Sequence, residues 1–212
     1  MTQSTNTIEK DGDTKEIKPE RENGTNWLER RSFRIALTSI FIALSVVLGY
    51  MLIYLPNIEL ITIMIFLSGF ILGKKKGLVI GAFSSFIFCF LNPMGASQLP
   101  LLTVQVVYYS LVGLIGAFTC DLLEKKSFFN SRDDLYVYQV MVILGAIGGV
   151  LTTIYSIFAE LAGYITISAP GVPFSAYFMI GVPWTIIHVI GNILGFIFIL
   201  PGLIQIVYTL LD

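Results

Sequence analysis

Residues 58–92 read IELITIMIFLSGFILGKKKGLVIGAFSSFIFCFLN. Two apolar runs, 58–73 and 77–92, flank the triplet Lys74-Lys75-Lys76, itself bracketed by Gly73 and Gly77. A helix rises 1.5 Å per residue, so a hydrocarbon core of about 30 Å takes roughly 20 residues and each run is short for a crossing. One continuous segment would place three ammonium groups in mid-membrane, which is far costlier than two short helices joined by a tight basic turn. The stretch reads as a helical hairpin with its lysines at one membrane surface.

Outward from this hairpin, further apolar spans fall at 35–55, 100–120, 136–160 and 180–207, making six transmembrane helices. Composition agrees. Of the 212 residues, 55% are apolar and 13% charged, where a soluble domain carries about 25% charged residues. Residues 1–34 hold seven of the 13 Lys/Arg and seven of the 14 Asp/Glu, so the rest of the chain has too few charges to cover a water-soluble fold. The expected fold class is an all-α integral membrane protein in two parts. Residues 1–34 form a cytoplasmic tail, disordered at first and amphipathic around Trp27, Leu28 and Phe33; residues 35–212 form a six-helix membrane domain. A net charge of -1 gives no case for a nucleic-acid partner.

The bases also set the orientation. With the N-terminus inside, the inner segments 1–34, 74–76, 121–135 and the C-terminal end contain all 13 Lys/Arg, and the outer loops contain none. That asymmetry places both termini in the cytoplasm. The outer loop 161–179, with Pro170, Gly171 and Pro173, is expected to be the longest irregular segment and a lid candidate. No secretory signal precedes the first span, and Asn23-Gly24-Thr25, on a cytoplasmic tail, is discounted as a glycosylation acceptor. Cys89 and Cys120 lie in apolar runs and read as small core residues. Small residues at four-residue spacing (Gly69, Gly73, Gly77 and Gly81; Gly145 and Gly149; Gly191 and Gly195; Ser39 and Ala43) mark close approach of helix backbones.

Outside the cytoplasmic segments only two carboxylates remain, Glu59 at the outer start of the second helix and Glu160 near the outer end of the fifth. The single histidine, His188, shares a face of the sixth helix with Trp184 and Asn192, spaced i, i+4, i+8. On the fifth helix Thr153, Ser156 and Glu160 share a face; the fourth adds Gln105 and Tyr109, and the loop before it Asn92 and Gln98. These amide, aromatic, imidazole and carboxylate groups converge in the outer half of the bilayer, as the few polar anchors of a pocket for a polar organic ligand. Each residue taken alone has a plainer reading. Glu59 and Glu160 equally suit solvated interfacial acids, Trp184 an aromatic-belt residue, and His188 with Asn192 an interhelical hydrogen bond. Their shared depth favours the pocket. No Walker-type phosphate loop, H-E-x-x-H, G-x-S-x-G or metal-spaced His/Cys cluster is present, so neither an enzyme nor a cofactor or metal is expected. No inverted repeat is evident either, and the chain reads as a binding subunit without its own engine.

Leu55-Pro56-Asn57-Ile58-Glu59-Leu60, Leu67-Ser68-Gly69-Phe70-Ile71-Leu72-Gly73, Gly77-Leu78-Val79-Ile80-Gly81-Ala82, Asn92-Pro93-Met94-Gly95 and Pro100-Leu101-Leu102 together resemble the substrate-binding (S) components of energy-coupling factor vitamin transporters. The likeness covers roughly residues 33–205. It implies six helices, and a micronutrient bound near the outer surface by helices 4–6 and the outer loops. It also implies a transmembrane coupling subunit driven by two ATPases in a bacterial or archaeal cell membrane, with release as the S component tilts. The family's first helix carries an Ala-x-x-x-Ala docking motif; Ser39 and Ala43 match it here, with Ser in place of the first Ala. Among the family's substrates, cobalamin and queuosine-type precursors are weakly favoured. The alternative from the residues is a stand-alone ion-coupled transporter of a small organic solute, with Glu59 or Glu160 carrying the proton.

Overall fold

A computed structural model describes residues 31–55, 59–127, 129 and 135–211. The described residues are helical, with no strand among them: α1 (Arg31–Met51), α2 (Ile61–Leu72), α3 (Lys74–Phe90), α4 (Leu99–Leu123), α5 (Tyr138–Ile167), α6 (Phe174–Leu194) and α7 (Leu200–Leu211). A π-helical turn, Gly195–Ile199, joins α6 to α7, so the pair runs as one apolar stretch of 38 residues. The widened turn sits just before Pro201, which has no N–H to return to the preceding turn. α1, α4, α5 and the α6–α7 stretch are long and apolar enough to cross a membrane.

The α2–α3 hairpin is present, and its turn is a single residue. Gly73 at φ +82° ends one helix and starts the next, a left-handed conformation open to glycine at no steric cost. The lysine triplet forms the first turn of α3 rather than a loop. Lys74 pairs with Asp121 of α4 at 2.7 Å and lies 4.4 Å from the Phe118 ring centroid, pinning that end.

α2 is the centre of the molecule. Eleven of its 12 residues are buried, all but Ile71, which is the pattern of a helix apolar all round and enclosed by neighbours. α3 instead buries one stripe, Gly77, Ile80, Gly81, Ser84, Ser85 and Cys89. Where α2, α3 and α4 meet, a methyl group built on Gly69 or Gly113 would overlap the backbone of the facing helix, and Gly77, Gly81 and Gly116 likewise sit against backbone carbonyls. Several buried hydroxyls are satisfied by their own helix: Ser45 donates to the Phe41 carbonyl, Ser85 to Gly81 and Thr152 to Gly148, each at 2.7–2.8 Å. The outer faces carry large exposed apolar side chains, among them Ile40, Val47, Phe83, Phe86, Leu111, Phe118, Val150, Ile154 and Ile187. Such a surface suits lipid, and the chain is a multi-pass membrane protein.

Three expectations change. Residues 161–167 continue α5 and 174–179 begin α6, so the expected 161–179 loop shrinks to Ser168–Pro173. Pro170, Gly171 and Pro173, which suggested the loop, all fall in this shorter connection, while the flanking residues stay helical because backbone bonds there have no water to turn to. The second concerns the small-residue pairs. Gly145 and Gly149 face the side chains of Ile197 and Ile193, and Gly195 that of Ile63, so these positions accommodate side chains rather than a facing backbone. Helix α1 already includes residues 31–34, which the sequence places in the tail; Trp27, Leu28 and Asn23 lie outside the described residues.

Candidate functional site

Helix direction alternates through the bundle, so the start of α2, the start of α4, the end of α5 and the start of α6 come together at one end. Glu59, just ahead of α2, is the node. Its carboxylate accepts hydrogen bonds from Thr62 Oγ1 (2.6 Å), Tyr109 OH (2.9 Å) and His188 Nε2 (3.2 Å). Only 18% of the Glu59 side chain and 8% of that of His188 are exposed. An ionised carboxylate is tolerated there because three donors replace its hydration. Opposite an ionised Glu59, Nε2 is the ring nitrogen placed to donate.

Aromatic rings extend the network. Tyr155 of α5 stands edge-on to the His188 ring, with centroids 5.7 Å apart at 88°. It also packs against Tyr108 at 4.6 Å and Tyr109 at 6.1 Å. Gln105 Nε2 of α4 donates to Tyr155 OH at 3.4 Å. One turn beyond His188, Asn192 is 2% exposed and its Nδ2 donates to the His188 carbonyl at 3.4 Å. The oxygens Gln105 Oε1 and Asn192 Oδ1 are buried without a hydrogen-bond partner. Each such acceptor costs about 1–3 kcal/mol until a donor meets it.

Beside this network lies a cavity of about 290 Å³ between the ends of α4, α5 and α6. Tyr155, Ser156, Glu160, Tyr177, Trp184 and His188 supply its polar and aromatic lining. Glu160 rests against α6 where Gly181 leaves room; a methyl at 181 would overlap its carboxylate. Pro183 within α6 removes one helical N–H at the level of Trp184. A second cavity, about 310 Å³ between α4 and α5, is lined by Val104, Val107, Leu111, Ile154 and Phe158 with Tyr108, Tyr155 and Thr103. It is almost wholly apolar and offers little to orient a polar solute.

The structure gathers most of the candidates. Glu59, Tyr109 and His188 are bonded together; Ser156, Glu160 and Trp184 line the cavity with His188; Gln105 and Asn192 adjoin it through Tyr155 and His188. Asn92 stands apart, its Oδ1 accepting from the Met94 N–H at 2.8 Å in a local turn, and Gln98 is exposed just ahead of α4. Thr153 is exposed and bonded to its own Gly149 carbonyl, and the buried threonine is Thr152. Sequence reasoning missed Thr62, Tyr155, Tyr177 and Gly181. Tyr155 does have a signal, since it lies three residues after the buried Thr152 and four before Ala159, on the inward arc of α5. Among the described residues no group of three His, Cys, Asp or Glu side chains comes together where it could hold a metal ion. Cys89 and Cys120 are buried free thiols.

The model of the family "ECF transporter, substrate-specific component" matches residues 33–200. The chain belongs to that family. Neither a curated protein nor a solved structure matches it. S components bind small-molecule substrates and associate with a membrane-embedded energy-coupling module; theirs is a transporter family, not an enzyme family. In this S component Ser39 and Ala43 lie on an exposed face of α1, with Ala36 one turn earlier, and Ser39 Oγ is turned onto its own helix, donating to the Ile35 carbonyl at 3.2 Å.

Proposed function

We propose that the chain is the high-affinity capture subunit of an ECF-type importer, taking up a vitamin or related micronutrient at the outer face of a bacterial or archaeal cell membrane. In this reading six helices cross the membrane with both termini inside, α2 and α3 forming the two short spans. Glu59, Gln105, Tyr109, Ser156, Glu160, Trp184, His188 and Asn192 form the binding site. The observation that carries the reading is the cavity of about 290 Å³ joined to a buried network of carboxylate, imidazole, phenol and amide groups. The volume lies near the lower end of the usual ligand-pocket range of about 300–1,000 Å³. It favours a nucleobase-sized queuosine-type precursor over a corrinoid. The exposed face of Ser39 and Ala43 supports docking on a coupling subunit that two ATPases drive, since small residues allow close helix approach.

Uptake into sealed vesicles tests this. Accumulation is expected only when the coupling subunit and ATPases are reconstituted with the chain and ATP is inside; ATP-independent concentrative uptake by the chain alone overturns it. The same vesicles examine a second reading, a stand-alone ion-coupled transporter, which the buried Glu59–His188 pair favours as a proton site. That reading requires uptake to follow a pH gradient without any partner and to fail in Glu59→Gln.

A further inference from the structure

The cavity is lopsided in charge. Residues 135–211, which supply all of its lining but Leu101, contain Glu160 and no lysine or arginine. His188 is the one basic group in the lining, and its Nε2 is already committed to Glu59. A protonated His188 with an ionised Glu59 sums to zero, and a neutral His188 leaves the pair at minus one. Either way Glu160 adds a negative charge that no described residue offsets: it makes no hydrogen bond or ion pair to any of them. Three aromatic side chains, Tyr155, Tyr177 and Trp184, share the cavity with that carboxylate. Ring faces attract cations and repel anions. An anionic solute meets no compensating group here and adds repulsion from Glu160, whereas a cationic one meets the carboxylate and the rings together.

We propose that the ligand enters this cavity with a positively charged nitrogen, an organic ammonium or amidinium-type group, held by the Glu160 carboxylate among Tyr155, Tyr177 and Trp184. This rests on the reading of the cavity as the substrate site and adds the charge class to it. Glu160 is the specificity-determining residue, and Gly181 is what lets its carboxylate sit against α6.

Binding of three probes on one aromatic scaffold, benzylamine, benzyl alcohol and benzoate, to the full chain in detergent at pH 7 decides the matter. Benzylamine is expected to bind roughly tenfold more tightly than either of the others, a ratio within the range of a partly exposed cation–π and carboxylate contact. Glu160→Gln, nearly isosteric and only partly buried, is expected to abolish the preference while leaving the thermal midpoint close to that of the parent. Equal binding of the three probes, a preference for benzoate or benzyl alcohol, or an ammonium preference that survives Glu160→Gln overturns the charge assignment and leaves the cavity as a binding site. Failure of all three probes to bind counts against the cavity reading itself, and the assignment falls with it. If Glu160→Gln does not fold, the probe order of the parent chain still decides.

Discussion

Where α2, α3 and α4 cross, backbone lies on backbone; where α5 meets α6 and the π-turn, side chains fill the space between helices. Both regions carry glycines four residues apart on one helix, at 77 and 81 of α3 in one and at 145 and 149 of α5 in the other. The contrast teaches that this spacing specifies a small face, whereas the facing helix decides how closely it is approached. The first region is a tight slab with α2 at its centre. The second stands off from it far enough to leave a cavity, and the Glu59–His188 contact spans the two across 129 residues of sequence.

Substitutions that enlarge a side chain separate the regions most sharply. Gly113→Leu is expected to prevent the slab from assembling, since even a methyl there would overlap the Gly77 carbonyl; little folded protein should survive detergent extraction. Near-normal yield would mean that the helices are not in backbone contact. Next in size, Glu59→Ala removes the carboxylate shared by Thr62, Tyr109 and His188 and is expected to lower stability by about 3 kcal/mol, read from the thermal or denaturant midpoint. A change within error would show that the two regions do not depend on this contact. Asn192→Ala and Gln105→Ala act on the seam itself. Each is expected to weaken ligand binding about 5- to 150-fold, from the loss of roughly 1–3 kcal/mol, and an unchanged affinity in both would move the site elsewhere. Smallest is Gly149→Ala. The nearest atoms to an added methyl are the Ile193 side-chain carbons at 3.1 Å, which can shift, so a loss below about 1 kcal/mol is expected.

The hairpin was legible because it depends on local composition: two apolar runs, a glycine and three lysines admit one arrangement, whereas the enclosure of α2 on every side came only with its neighbours. Periodicity likewise identified the faces bearing His188, Asn192, Ser156 and Glu160. It could not say which faces meet. Nothing along the chain links Glu59 to His188, because helical phase says nothing of which helices become neighbours. Tyr155 escaped notice because an aromatic residue in an apolar helix looks like packing, and its role comes from Gln105 and His188 on two other helices. At Thr152 and Thr153 two identical residues sit side by side, and a stripe read from spacing alone selected the outward one.

The one-residue turn at Gly73 fixes something besides direction. A helix turns about 100° per residue, so the length of a connection sets the rotational phase of the helix after it. With a single residue between α2 and α3 there is no slack to absorb an insertion. Adding one residue there would swing Gly77 and Gly81 a quarter-turn or more away from the α4 backbone they rest on and bring neighbouring bulk into the groove. Gly73 works as an index mark: it keys the rotation of α3 to that of α2, and the helix that holds Tyr109 against Glu59 is packed onto both.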